Sequence, residues 1–120
     1  MGNKAAISLT TGLEDSEKVT IALLVAVGAA ESGRPTVMFL TKEAVRLALA
    51  GTTVGVACEG CPSLPDLMRR YEAAGGELLV CPVCFNAKHL DPDGMISNAT
   101  LGGSVQLWEW IGDGATTFSF

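Results

Sequence analysis

All four cysteines of this 120-residue chain fall in two short motifs, Cys58-Glu59-Gly60-Cys61 and Cys81-Pro82-Val83-Cys84. Two intervening residues let paired thiols meet within one turn, so each motif suits thiol exchange, and four such sulfurs gathered together suit a metal. Three chemistries compete. In the first, Cys81 carries sulfur or forms a disulfide, and Cys84 resolves it. In the second, Cys58, Cys61, Cys81 and Cys84 hold a structural zinc ion, because the spacing of the two pairs matches that of four-cysteine sites in general. In the third, a pair of cysteines beside a βαβ pattern marks a thioredoxin-like oxidoreductase. A helix and a strand separate the two pairs, so zinc requires the tertiary fold to bring them together. The late position of the second pair, with no matching pattern after it, counts against thioredoxin.

Hydrophobic pattern and punctuation supply the elements that must position these thiols. Strands are predicted over residues 4–9, 36–40, 77–80 and 115–120, and helices over 16–31, 42–49, 63–74 and 104–111. Asp15 or Ser16 caps the first long helix and Ser63 the third, where Leu64, Leu67, Met68 and Tyr71 form one stripe. Residues 54–57 are either a short strand or an extended link, and 95–99 either a strand or a helical turn. Strands separated by helices, without two-residue hairpins, predict one α/β domain over residues 1–120 with a mainly parallel sheet of about five strands. Both cysteine motifs then lie where a strand-like run gives way to a loop, and the carboxyl edge of such a sheet is where ligands collect. Cys81 ends a strand and precedes Pro82, a residue suited to the first position of a helix, so Cys81 is placed as its N-cap. Backbone N–H groups and the helix dipole there favour the thiolate, and Lys88 pushes the same way.

Composition narrows the class. Hydrophobic residues make up 48% of the chain and charged ones 18%, with 8 Lys+Arg against 13 Asp+Glu for a net charge of −5. That hydrophobicity excludes a disordered chain, and the acidic balance argues against a direct nucleic-acid binder. The longest apolar stretch, residues 21–30, falls short of the roughly 20 residues a membrane span needs. No signal peptide is visible, and Met1-Gly2 does not make a myristoylation site, because Ala6 stands where Ser or Thr is wanted. A cytoplasmic chain is expected, in which cysteines serve as thiols or metal ligands more readily than as structural disulfides. The apolar excess centres on the helix over 16–31, which has little polar face and should be buried all round; contact between subunits would achieve this.

The order of these segments resembles the DsrE/DsrF-like family, which includes sulfur-relay subunits and the YchN-like proteins. The resemblance is carried by Thr11-Gly12 and Glu14-Asp15 before the long apolar helix, Val37-Met38-Phe39-Leu40-Thr41 with Glu43-Ala44-Val45, and Cys61-Pro62-Ser63-Leu64. Gly76 with Leu78-Leu79-Val80-Cys81, and Thr117-Phe118-Ser119-Phe120, complete it. It implies a three-layer flavodoxin-like fold, assembly into a homotrimer or homohexamer, and protein partners that donate and accept sulfur. In the sulfur-relay members, the cysteine matched by Cys81 carries a persulfide. The loop ending Lys88-His89-Leu90 departs from the Arg-Gly before Leu in many relatives, and the Cys58/Cys61 pair is outside the general family pattern.

The remaining candidates read more plainly. His89, the only histidine, is expected as an exposed loop residue, and of Trp108 and Trp110 one is expected in the core and the other at an interface. Thr10, Thr11, Gly12, Asn98 and Thr100 are candidates to line a pocket at the sheet edge. No phosphate-binding glycine motif occurs, so no nucleotide cofactor is expected. Asp91, Asp93 and Asp113 read as turn and cap residues.

Overall fold

The computed structural model describes residues 3–120; Met1 and Gly2, which bear on the myristoylation reading, lie outside the described residues. Five strands, β1 (Ala5–Leu9), β2 (Thr36–Leu40), β3 (Glu77–Val80), β4 (Ala99–Leu101) and β5 (Thr116–Ser119), form one all-parallel sheet in the order β4-β3-β2-β1-β5. The helices are α1 (Ser16–Glu31), α2 (Leu64–Ala73), α3 (Pro82–Ala87) and α4 (Ser104–Ile111).

Handedness decides which face each long helix covers. Parallel neighbours need a crossover, and that crossover is right-handed almost without exception. From β1 to β4 the chain steps across the sheet in one direction, so α1 and α2 lie on the same face, packed together. The return from β4 to β5 runs the other way and carries α4 to the opposite face. Accordingly Ala5, Ile7 and Phe118 face Val25 and Ala29 of α1, whereas Val37 and Leu79 face Gln106 and Trp110 of α4.

The predicted elements form with modest shifts. Asp15 caps α1 by accepting from Lys18 N–H, and Ser63 caps α2 by accepting from Asp66 N–H. The predicted helix at 42–49 is a tight 3₁₀ segment, Lys42–Ala48, with Ala44, Val45, Leu47 and Ala48 buried. Of residues 54–57, the first two lie in a turn and the last two in an irregular link, so no strand forms there. The ambiguous run at 95–99 resolves into a bridge from Met95 to Leu49 followed by β4. Within a single chain α1 is not buried all round, because nothing lies beyond its outer side, which is the face that the sequence reading left to contacts between subunits. Ile21 and Leu24 there are 48% and 43% exposed.

Beneath α1 and α2 the core is continuous. Ile7, Leu9, Met38, Leu40 and Val80 from the sheet pack with Val19, Leu23, Leu64, Leu67, Tyr71 and Phe85. Tyr71 is the one large polar-tipped side chain in it. Its hydroxyl donates toward Glu77 O at 2.7 Å and Thr36 O at 3.3 Å, joining α2 to the start of β2 and β3. Burial pushes the phenol well above its ordinary pKa, so it stays a donor. The ring lies flat against Gly76, where any Cβ would overlap it.

Gly76→Ala is therefore expected to cost about 1–3 kcal/mol through overpacking, and Tyr71→Phe about 1 kcal/mol through the lost hydrogen bonds. Urea unfolding of both variants checks this; wild-type stability for Gly76→Ala would mean that the ring does not need the glycine.

Candidate functional site

The carboxyl ends of β1, β2 and β3 are laced side by side. Thr41 N–H donates to Leu9 O at 3.1 Å, Cys81 N–H to Leu40 O at 3.0 Å, and Gly102 N–H to Val80 O at 3.0 Å. Cys81 is thus held through its own backbone at the end of β3. As expected, it is the N-cap residue of α3, with Pro82 in the first turn, and no side chain caps that turn. Its carbonyl accepts from Phe85 N–H at 3.0 Å, and Phe85 is fully buried, which anchors α3 to the core.

Cys81 and Cys84 are free thiols, both half-buried and packed against the edge of the core. Positions 81, 84 and 88 follow helical spacing, so Cys84 stands one turn along from Cys81 and Lys88 one further turn along the same side. Lys88 is itself mostly covered, 22% exposed, and its Nζ lies 3.5 Å from Glu43 Oε2. Arg46 Nε donates to the other oxygen, Glu43 Oε1, at 2.8 Å. The hydrogen bond from Arg46, supplemented by Lys88, holds the Glu43 carboxyl below the usual carboxylate range. Lys88 therefore reaches the site already engaged by an anion.

Glu43 was not singled out for chemistry from sequence. Its one legible signal is the charge pair three residues apart with Arg46; the link to Lys88 exists only because α3 packs on the 42–48 segment. Gly12 matters here as well. A Cβ at that position would stand 2.7 Å from Glu43 O, so only glycine lets the loop after β1 close on the segment carrying Glu43.

Among the described residues, two that are not glycine adopt left-handed backbone, Lys42 (φ 53°) and His89 (φ 55°), and both flank this site. His89 N–H donates to Asn86 O and Leu90 N–H to Phe85 O, the paired bonds that end a helix with a left-handed residue. His89 thus forms the left-handed turn that closes α3, and its side chain is exposed as expected.

The other cysteine pair departs from expectation. Cys58 and Cys61 are joined as a disulfide, not free thiols, because the turn closed by Cys61 N–H to Cys58 O brings their Cα atoms to 5.2 Å, within disulfide range. Among the described residues no three His, Cys, Asp or Glu side chains gather as a metal would require. The four sulfurs are thus not assembled into the cluster that the zinc alternative needs.

The five candidate pocket residues also separate. Thr10, Thr11 and Gly12 follow β1 at the thiol edge. Asn98 lies at the opposite edge, donating to Gly76 O, and Thr100 lines a cavity of about 240 Å³ under α4. A larger groove of about 370 Å³ runs between α1 and β5, and no cysteine lines either space. Trp108 is 70% exposed, while Trp110 is half-buried with the Lys4 ammonium 5.4 Å from its ring centre. Asp91 caps the turn at 92–94.

Among known structures, the YchN protein of E. coli superposes with a TM-score of 0.77 at 22% identity, covering 98% of this chain and all of that one. A protein of unknown function from Methanobacterium thermoautotrophicum, MTH1491, superposes with a TM-score of 0.70 at 9% identity over 98% of both chains. These likenesses show the fold. No curated protein matches the chain significantly. The DsrE/DsrF-like family model matches residues 3–120, nearly the whole length, and the chain belongs to the DsrE/DsrF-like family.

Proposed function

We propose that this protein carries sulfane sulfur as a persulfide on Cys81 and passes it to a partner protein, acting as a sulfurtransferase or sulfur carrier in the cytoplasm. The observation that carries the reading is a free thiol at the carboxyl end of β3, with a second thiol one turn along α3, in a DsrE/DsrF-like chain. In loading, the Cys81 thiolate attacks the outer sulfur of a donor persulfide; a new S–S bond forms and the donor leaves as its thiolate. An acceptor thiolate then attacks the outer sulfur on Cys81 and restores the Cys81 thiolate. Alternatively Cys84 attacks the inner sulfur, which releases hydrosulfide and leaves a Cys81–Cys84 disulfide. Cys81 stands at the open first turn of α3, and Lys88, tied to Glu43, stands further along the same helix.

Self-association into a trimer or hexamer belongs to the same reading. The exposed Ile21 and Leu24 of α1, and Phe118 on the edge strand β5, supply an apolar surface for a second copy of the chain. Among the described residues no helix is long and apolar enough to cross a membrane.

Treatment with a small persulfide donor is expected to add one cyanide-removable sulfur to the intact mass of the wild type and none to Cys81→Ser. Cys84→Ser should hold the added sulfur longer; a wild type that gains nothing would end the proposal. For Lys88→Ala, loading of Cys81 by the same donor is expected to slow, because the tie from α3 to Glu43 is lost. An unchanged loading rate would remove Lys88 from the site. The double variant Ile21→Glu, Leu24→Glu is expected to sediment as a monomer, and a wild type that is already monomeric would sink the assembly.

A further inference from the structure

The Cys58–Cys61 disulfide is not gathered with Cys81 and Cys84, and it lies in an exposed segment that backbone hydrogen bonds already close. We propose that it is a second, redox-active site that exchanges electrons with dithiol reductants outside the chain, independently of whether Cys81 carries a persulfide.

Three observations support this. First, the bond spans a sequence separation of 3, and the entropy that a cross-link removes from the unfolded chain grows with the loop it closes, so this one stabilises the fold less than a longer-range bond would. Hydrogen bonds already close this segment without it: Cys61 N–H to Cys58 O at 3.0 Å and Leu64 N–H to Val56 O at 2.9 Å. Second, both cysteines are half-buried, and their neighbours Ala57, Glu59, Gly60 and Pro62 are exposed. Of residues 50–62 only Val56 packs against the core, so an incoming thiol need not disturb the fold to reach the sulfurs. Third, Gly60 sits at the third position of the Cys58–Cys61 turn with φ +78°, the left-handed conformation that a type II turn requires there. The turn is therefore made by backbone chemistry, and it holds the two thiols together when reduced, ready to close again.

In the exchange, a thiolate of the reductant attacks one sulfur of the pair and the other leaves as thiolate. The second thiol of the reductant then attacks the mixed disulfide and departs as a disulfide. The reductant loses two electrons, and its two protons end on Cys58 and Cys61.

The test equilibrates the protein in graded mixtures of reduced and oxidised glutathione and of reduced and oxidised dithiothreitol, followed by acid quench, maleimide labelling and intact mass. Reversible gain and loss of the labels on Cys58 and Cys61, located by peptide mass, is expected, with tryptophan circular dichroism unchanged. Gly60→Ala should shift the equilibrium toward the thiols by roughly tenfold, because alanine resists the left-handed turn. The double variant Cys81→Ser, Cys84→Ser should titrate like the wild type, now between no label and two. Reduction only on unfolding, failure to re-oxidise, or loss of the titration in the double variant would each overturn the proposal.

Discussion

Parallel strands cannot be joined by tight turns, so each returns through a crossover, and every carboxyl end of the sheet arrives at the same edge. In this chain the constraint determines where the chemistry stands. β1, β2 and β3 end at Leu9, Leu40 and Val80, and the residues that follow them, Thr10 to Gly12, Thr41 to Glu43 and Cys81, are bonded across the ladder. Cys81 owes its position to Leu40 O and to the buried Phe85, not to its own side chain. The thiol is left free because the backbone does the holding.

The same edge gathers charge in an otherwise acidic protein. Glu43 binds Arg46 beside it and Lys88 from α3, and Gly12 closes on the backbone of Glu43 from the other side. These pairs are half-exposed and add little to stability. Their effect is positional: they tie the 42–48 segment to α3, so that Lys88 stays on the side of the helix that bears Cys84. The left-handed turns at Lys42 and His89 bracket this arrangement, a backbone cost incurred on both sides of the thiols and not at glycine.

Much of this was legible before any coordinates. Asp15 and Ser63 marked two helix starts, and Gly33 and Gly75 stand where those helices stop with left-handed backbone, because capping chemistry is local. The stripe of Leu64, Leu67 and Tyr71 identified a buried face, and Pro82 after a strand located the N-cap at Cys81. What stayed open was context. The apolar pattern of α1 says that apolar surface must be covered, but not by what, and within one chain Ile21 and Leu24 are left open. The four cysteines suggested one set of thiols or ligands because compartment and count are global arguments, whereas the turn at Gly60 that joins Cys58 to Cys61 is a local one.

The sequence by itself determined most element types, their caps and the strand-end cysteine, since each follows from residues within about ten positions of one another, and the alternation of strands with helices along the chain pointed to the parallel sheet. Only the tertiary structure decided that Lys88 meets Glu43, that Gly12 abuts it, that Tyr71 lies on Gly76 with its hydroxyl on β2 and β3, and that the four sulfurs form two separate sites. Apart from the contacts of Tyr71 with Gly76 and Glu77, these join positions far apart in the chain. Which of them come together depends on strand order and crossover hand, and no local periodicity encodes either.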